Sequence, residues 1–448
     1  MGKLYFSYTD FFLVPLYLFF VFLIATRTKK KYIKKKPEYR FFIKGIIAKL
    51  IGVSLFLMFY TLYYETGDTI SYYKGAKSLS NLLFSDFKKG MSILFNTESP
   101  YNSYNSFTEE TGRPPFYIFR DTMTFNVSRF SVIFYVLGAG SLIITNFLCA
   151  IFSFIGVWKL YVLFNSIFKG ISKELAFIIL FMPSTLFWGS GIMKDSFVLG
   201  SLCWLTANFY MGVIVRNKII KNTVLMIFNF LIIVNLKPYV AVGVIPGMLL
   251  WINASFITSF KSSFVKFFLR PLVMVFIVFS GLFVVNNLST FGLEEYENVD
   301  QTLGQAQVIQ QDLLRSEQYG SNNYNIGTID GSISGMLKVA PLAIFTAIYR
   351  PLIFEVGSPA MLISAIENSV LILLTFLALI RTNPLHTYRL ISKNPFLLYC
   401  VIFTLIFAFG VGIASTNFGA LVRYRIPLIP FYFGVILIMR KINKIKIN

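Results

Sequence analysis

Apolar residues in this chain come in long runs, most of them near the length of about 20 residues that a helix needs to cross a hydrocarbon core. The first two runs occupy 11–26 and 46–64, and a polar stretch rich in Tyr, Asn and Ser follows at 65–129. The run 130–164 is too long for one straight span and carries Gly138 and Gly140 near its start. It reads as a short interfacial or re-entrant piece followed by one span. Runs at 174–190, 196–215, 222–236, 239–257 and 271–288 lead to a second polar stretch at 289–358, and runs at 359–380, 395–414 and 426–439 end the series. The pattern predicts an all-α polytopic integral membrane protein with about 11 transmembrane helices and two large loops, 65–129 and 289–358. No internal repeat or separate soluble domain is evident, so residues 1–448 are expected to form a single transmembrane domain.

Charge assigns the sides. Arg27, Lys29, Lys30, Lys31, Lys34, Lys35, Lys36 and Arg40 crowd the loop 27–40 between the first two runs, and such a loop belongs on the cytoplasmic side. The N-terminus then lies outside. Later basic clusters at 216–221, 261–270 and 381–394 fall inside, as does the C-terminal group Arg440, Lys441, Lys444 and Lys446. The two large loops face outward. The first run lacks a small-residue cleavage site and reads as a retained span.

Composition narrows the class. With 56% hydrophobic and 14% charged residues, the chain is no soluble globule. The net charge of +21 sits in short loops beside apolar runs, an insertion signature rather than a nucleic-acid-binding face. Cys149, Cys203 and Cys400 lie inside apolar segments and read as packing residues. His386 is alone, so no His-based metal site is expected; no cofactor is called for, with a divalent cation left open.

Cations on the outer side run against the insertion bias, and each needs a reason. Gly67-Asp68-Thr69 follows the second run, with Tyr72 and Tyr73 just beyond. Asp68 can act as a general base or orient an acceptor hydroxyl, and it can equally cap a helix over 69–83. Trp188-Gly189-Ser190-Gly191 precedes Lys194-Asp195-Ser196 at an outer turn, where ionisable groups are costly and usually functional. Lys237-Pro238-Tyr239 marks another outer turn, Arg350-Pro351 with Glu355 follows an amphipathic stretch at 336–349, and Arg423-Tyr424-Arg425-Ile426-Pro427 enters the last run. Lys and Arg also snorkel to head groups, which is the bland reading of any one of these. Taken together, Lys194, Lys237, Arg350, Arg423 and Arg425, with Asp68, Asp195 and Glu355 among them, are expected to border one outer cavity. Arg forks and Lys point charges are what phosphate recognition calls for, and a tail left in the bilayer suits a lipid-linked (pyro)phosphate.

Aromatic residues beside these charges, Tyr72, Trp188, Tyr239 and Tyr424, are candidate sugar contacts. In the outer loops Tyr101, Tyr104, Phe107, Phe116 and Tyr117 surround Arg113-Pro114-Pro115, while Tyr319, Asn322, Asn323, Tyr324 and Asn325 cluster later. Flat aromatic faces and paired amide groups suit carbohydrate, although ordinary polar loops share this composition.

An outer Asp-containing loop ahead of a Tyr, a large late loop and a terminal Arg-Tyr-Arg-x-Pro resemble bacterial GT-C glycosyltransferases of cell-envelope polysaccharide pathways. Asp68 matches the acidic residue of the first outer loop in that superfamily, but it follows the second span where the GT-C pattern places it after the first. Two short spans followed by Gly-Asp-x-x-x-Tyr look more like EpsG- and Wzy-type polysaccharide polymerases. The resemblance implies a bacterial inner (plasma) membrane, a polyprenyl-linked saccharide as partner alongside the lipid bilayer, other polysaccharide-assembly proteins nearby and no nucleic acid. It implies transfer of sugar units from a polyprenyl-(pyro)phosphate donor; on this reading Asp68 is expected to position or deprotonate the acceptor hydroxyl, Arg423 and Arg425 with Lys194 or Lys237 to hold the leaving phosphate, and Arg350 to hold a second lipid-linked chain. Two rivals stay open. A transporter of the same lipid-linked sugars would add mid-span charges, for which Glu367 is the main candidate, and paired broken helices. A non-catalytic membrane subunit would let the outer charges diverge.

Overall fold

The computed structural model describes residues 7–95, 103–259, 324, 333–357, 359–441 and 446–447. In chain order the helices are α1 (Asp10–Tyr32), α2 (Phe42–Met58, extended by a π-helical turn over Phe59–Tyr63), α3 (Asp68–Ser85), α4 (Phe87–Leu94), α5 (Thr122–Leu137), α6 (Leu142–Ile167), α7 (Ser172–Leu180), α8 (Pro183–Trp188) and α9 (Lys194–Phe209, with a π-helical turn over Tyr210–Ile214). There follow α10 (Ile219–Leu236), α11 (Pro238–Ser259), α12 (Ile333–Tyr349), α13 (Pro359–Arg381), α14 (Pro384–Lys393), α15 (Pro395–Ala414), α16 (Phe418–Tyr424) and α17 (Ile429–Arg440). Among the described residues, strand pairing is confined to Phe168–Lys169 against Lys446–Ile447.

Nine helical segments among the described residues are long and apolar enough to cross a membrane: Asp10–Tyr32, Pro37–Tyr63, Leu142–Ile167, Lys194–Ile214, Ile219–Leu236, Pro238–Ser255, Met361–Arg381, Pro395–Ala414 and Phe418–Arg440. Helices are what such runs must form in hydrocarbon, where every backbone N–H and C=O needs an internal partner. Large apolar side chains on α1 (Phe11, Phe12, Phe19, Phe20, Ile24) and α13 (Ile363, Phe376, Ile380) lie exposed, a face that suits lipid rather than water. The chain is a multi-pass membrane protein by this measure.

The structure departs from the sequence reading in definite places. The expected span at 174–190 is two short helices, α7 and α8. Pro183 has no N–H to continue α7 and instead opens α8, a position where proline is well tolerated. The expected span at 271–288 lies outside the described residues, as does the basic cluster at 261–270. The described part of the polar stretch 65–129 is not an open loop but largely helical, because Tyr72, Ala76 and Leu79 recur on one buried side of α3. The last span is interrupted at Arg425, with a 3₁₀ turn over Ile426–Leu428 before α17, where Pro427 withholds a donor.

By contacts the chain forms two compact units. The first comprises Met1–Ser166, Leu180–Asn208 and Val224–Lys237. Close backbone approach builds it: a Cβ on Gly52 would lie 2.3 Å from the Leu186 carbonyl oxygen, and one on Gly156 1.9 Å from that of Gly200. These contacts draw α2 against α8 and α6 against α9. Trp158 packs edge-on to Tyr39 and Phe42 toward the other end of α6.

The second unit comprises Ile167–Ile179, Phe209–Thr223 and Pro238–Asn448. Here Gly412 of α15 meets α12, where an added Cβ would lie 2.1 Å from the Ala343 carbonyl oxygen. The amphipathic stretch at 336–349 is part of a helix with a buried stripe at Ala343, Thr346 and Ala347. Trp251 of α11 is fully buried among Phe209, Phe396 and Tyr399. Asn394 accepts from the Phe396 and Leu397 amides and starts α15 with Pro395 at its first position.

Candidate functional site

In the first unit the site begins with how α3 starts. Gly67 has φ of +115°, and a Cβ there would crowd the Tyr60 ring at 2.8 Å, so the residue before Asp68 must be glycine. One residue on, the fully buried Thr69 hydroxyl donates to the Ile192 carbonyl at 2.9 Å. That bond ties the Asp68 end of α3 to the segment 189–193, which leads into α9.

Further buried polar contacts fix the same segment. The Gly189 carbonyl accepts from Ser153 Oγ at 2.9 Å and from Lys49 Nζ at 2.5 Å. The Ile192 amide donates to Asn146 Oδ1 at 2.9 Å, and Ser196 Oγ donates to the Met193 carbonyl at 3.0 Å. Gly191 lies where a Cβ would overlap the Phe56 ring. A segment held at this many points presents Lys194 and Asp195 at defined positions.

Asp195, 1% exposed, accepts from Lys237 Nζ at 2.5 Å, and Lys237 is 5% exposed. Lys237 ends the link between α10 and α11, and neighbouring Asn235 accepts from Asn126 Nδ2 on α5 at 2.9 Å through its carbonyl. Asn126 in turn accepts from Arg129, whose Nε donates to the Ile93 carbonyl at 2.8 Å. Burial pushes the Arg129 guanidinium down to about 10, still well above neutrality, so this polar layer keeps its charge.

Lys194 is placed differently. Its Nζ donates to Thr124 Oγ1 at 2.8 Å, and Asp121, Lys237, Asp68 and Asp195 all lie within electrostatic reach. No carboxylate among the described residues comes within ion-pair distance of it. An ammonium has three donors, so two point elsewhere. Lys194 is also the first residue of α9, where the positive end of the helix dipole disfavours a cation and favours an anion.

In the second unit Arg350 is gripped by Glu355, its Nε donating to Oε1 at 2.9 Å and to Oε2 at 3.1 Å, while the Leu352 amide also donates to Oε2. The guanidinium lies over the Tyr324 and Phe418 rings, 4.8 and 5.2 Å from their centroids. Burial raises the Tyr324 phenol above its ordinary value, with Arg350 and Arg425 partly offsetting it, so the phenol stays neutral. Arg425, 0% exposed, donates through one terminal nitrogen to the Ile348 carbonyl at 3.2 Å and the Arg350 carbonyl at 3.0 Å. Its other terminal nitrogen donates to Asn368, which bonds the Pro351 carbonyl at 2.8 Å. Glu367 lies within electrostatic reach of Arg425. Arg425 therefore clamps the ends of α12 and α16 to α13, a geometry that fits positioning.

The candidate residues from the sequence thus fall into two groups. Asp68, Lys194, Asp195 and Lys237 gather in the first unit, and Arg350, Glu355, Arg423, Tyr424 and Arg425 belong to the second. Tyr72 is buried in the first unit, Trp188 packs edge-on to Phe187, and Tyr239 stacks on Phe407 in the second. Tyr101, Tyr319, Asn322, Asn323 and Asn325 lie outside the described residues. Sequence reasoning missed three residues of the first group. Lys49 is a single cation inside an apolar run, and Asp121 with Thr124 forms a local helix-cap signature whose link to Lys194 spans 70 positions. Among the described residues no three His, Cys, Asp or Glu side chains converge as metal ligands would.

No protein-family profile, curated protein or solved structure matches this chain.

Proposed function

We propose that the chain is a membrane glycosyltransferase or polysaccharide polymerase that takes sugar units from a polyprenyl-(pyro)phosphate-linked donor at the outer face of the membrane. The observation that carries this reading is Lys194, an ammonium with two unengaged donors at the N-terminus of α9, facing Asp68 and Asp121. A phosphate held there meets a point charge and oriented backbone amides together. Asp68 takes the proton of the acceptor hydroxyl, whose oxygen bonds the donor sugar's anomeric carbon. The bond from that carbon to the phosphate oxygen breaks, and the electron pair leaves on the phosphate, where Lys194 offsets the charge. Configuration inverts in a single displacement of this kind.

Equilibrium binding of undecaprenyl pyrophosphate to the full chain in phosphatidylcholine nanodiscs tests the phosphate site. Lys194→Ala is expected to weaken binding by about tenfold or more, the worth of a charge-assisted contact. Undecaprenol, which has the tail without the phosphate, should bind poorly to both forms. Equal affinity for the two lipids, or no effect of Lys194→Ala, removes the phosphate site.

A transporter of lipid-linked sugars is the second reading, favoured by the buried mid-span Lys49 and by the break between α7 and α8. Lys49, however, donates to the Gly189 carbonyl at the end of α8, a helix-terminal role that needs no moving substrate.

The proposed sidedness places the N-terminus and 65–129 outside, and 27–40, 216–221 and the C-terminus inside, across a bacterial plasma membrane. Cysteines placed at the exposed Asn105 and Glu109 should react with an impermeant maleimide on intact cells, whereas one at Lys35 should react only after permeabilisation. The native Cys149, Cys203 and Cys400 are buried, so background is low. The opposite pattern inverts the topology.

A further inference from the structure

Thr124 touches two charged groups at once. Its Oγ1 accepts from Lys194 Nζ at 2.8 Å and donates to Asp121 Oδ2. Asp121 Oδ1 faces the other way and caps α5, accepting from the Met123 amide at 2.9 Å and the Thr124 amide at 3.3 Å. The hydroxyl has one proton, and it is donated in the hydrogen bond to the carboxylate. A lone pair of Oγ1 is thereby turned toward Lys194, and the ammonium is held by a directed acceptor without a direct ion pair to neutralise it.

We propose that Asp121 and Thr124 are positioning residues for Lys194, which they aim at a bound phosphate while leaving its charge available. This inference rests on the proposed role of Lys194 as the phosphate anchor. It also explains why a carboxylate stands beside an anion site at all. A direct Asp–Lys pair would cancel the charge that binds phosphate, whereas an intervening hydroxyl fixes the ammonium and keeps the carboxylate one group away.

The two possible roles of Asp121 predict opposite signs. As a mere neighbouring negative charge, Asp121 repels phosphate, so Asp121→Asn would tighten binding. As a positioning residue it must weaken binding when replaced. Asn remains a good helix cap through Oδ1, which leaves Nδ2 facing the Thr124 hydroxyl where the carboxylate oxygen was. The hydroxyl then receives a second donor in competition with Lys194, and α5 keeps its start.

The test measures undecaprenyl pyrophosphate binding by the full chain in phosphatidylcholine nanodiscs for Asp121→Asn, Thr124→Val, Thr124→Ser and Lys194→Ala. The expected result is binding weaker by about tenfold in Asp121→Asn and Thr124→Val, the worth of one charge-assisted hydrogen bond. Thr124→Ser, which keeps the hydroxyl, should stay close to the parent. Tighter or unchanged binding in Asp121→Asn overturns the inference, as does equal loss in Thr124→Ser and Thr124→Val. If Lys194→Ala binds normally, the anchor itself is wrong, an outcome distinct from failure of the relay alone.

Discussion

Asp68→Asn is expected to lower glycan assembly by about a hundredfold to ten-thousandfold, the usual contribution of a general base, while undecaprenyl pyrophosphate binding changes little. Asn keeps the size and most of the hydrogen bonding of Asp but cannot accept the hydroxyl proton. The fold should tolerate the change. Asp68 is the first residue of α3, where its charge favours the helix dipole by only about 0.3–1 kcal/mol. The stronger tethers, Gly67 in its left-handed conformation and Thr69 on the Ile192 carbonyl, remain. Incorporation of labelled sugar by membranes carrying the variant measures turnover, and nanodisc binding measures the donor step. A loss in turnover with binding intact separates catalysis from ground-state binding. Full incorporation by Asp68→Asn would remove the catalytic assignment and shift weight to the transporter reading, which has no need of a base.

The parts of this fold that could be read in the sequence are those governed by local composition. Apolar runs mark most of the membrane-crossing helices because hydrocarbon leaves the backbone no alternative, and the helix expected over 69–83 is α3, Asp68–Ser85. Reading failed where a local signal was overridden or silent. The run 174–190 is mostly apolar, yet one proline divides it. The stretch 65–129 is polar on average, and its helices emerge only from the spacing of a few apolar residues. Side-chain pairing was out of reach for another reason. Nothing near Lys237 in sequence indicates that its partner is Asp195, 42 positions earlier, and nothing near Lys49 points to Gly189, 140 positions later. Arg425 illustrates the limit most sharply. Its motif and its expected outward position point to a phosphate ligand, but the carbonyls of Ile348 and Arg350 and the amide of Asn368 already take both terminal nitrogens of its guanidinium. An arginine that closes a broken helix and one that binds phosphate look alike in a sequence.

Asp195→Ala should be the most destabilising single change in the first unit, by roughly 3–5 kcal/mol, because it strands the buried Lys237 ammonium without its carboxylate. Replacing both members by apolar residues of similar volume, Asp195→Leu with Lys237→Met, should recover most of that loss, since neither charge then needs compensation in the interior. Thermal unfolding in detergent micelles compares the three forms. A single variant as stable as the parent, or a double variant no better than the single, would mean that the pair does not hold α9 to the end of α10. The same double variant has a functional consequence. Asp195 and Lys237 cancel one another in charge, so removing both leaves the potential around Lys194 nearly unchanged. Undecaprenyl pyrophosphate should therefore still bind to the double variant, and Lys194→Ala should still weaken that binding. Loss of binding in the double variant with its fold retained would place the anchor at Lys237 instead of Lys194.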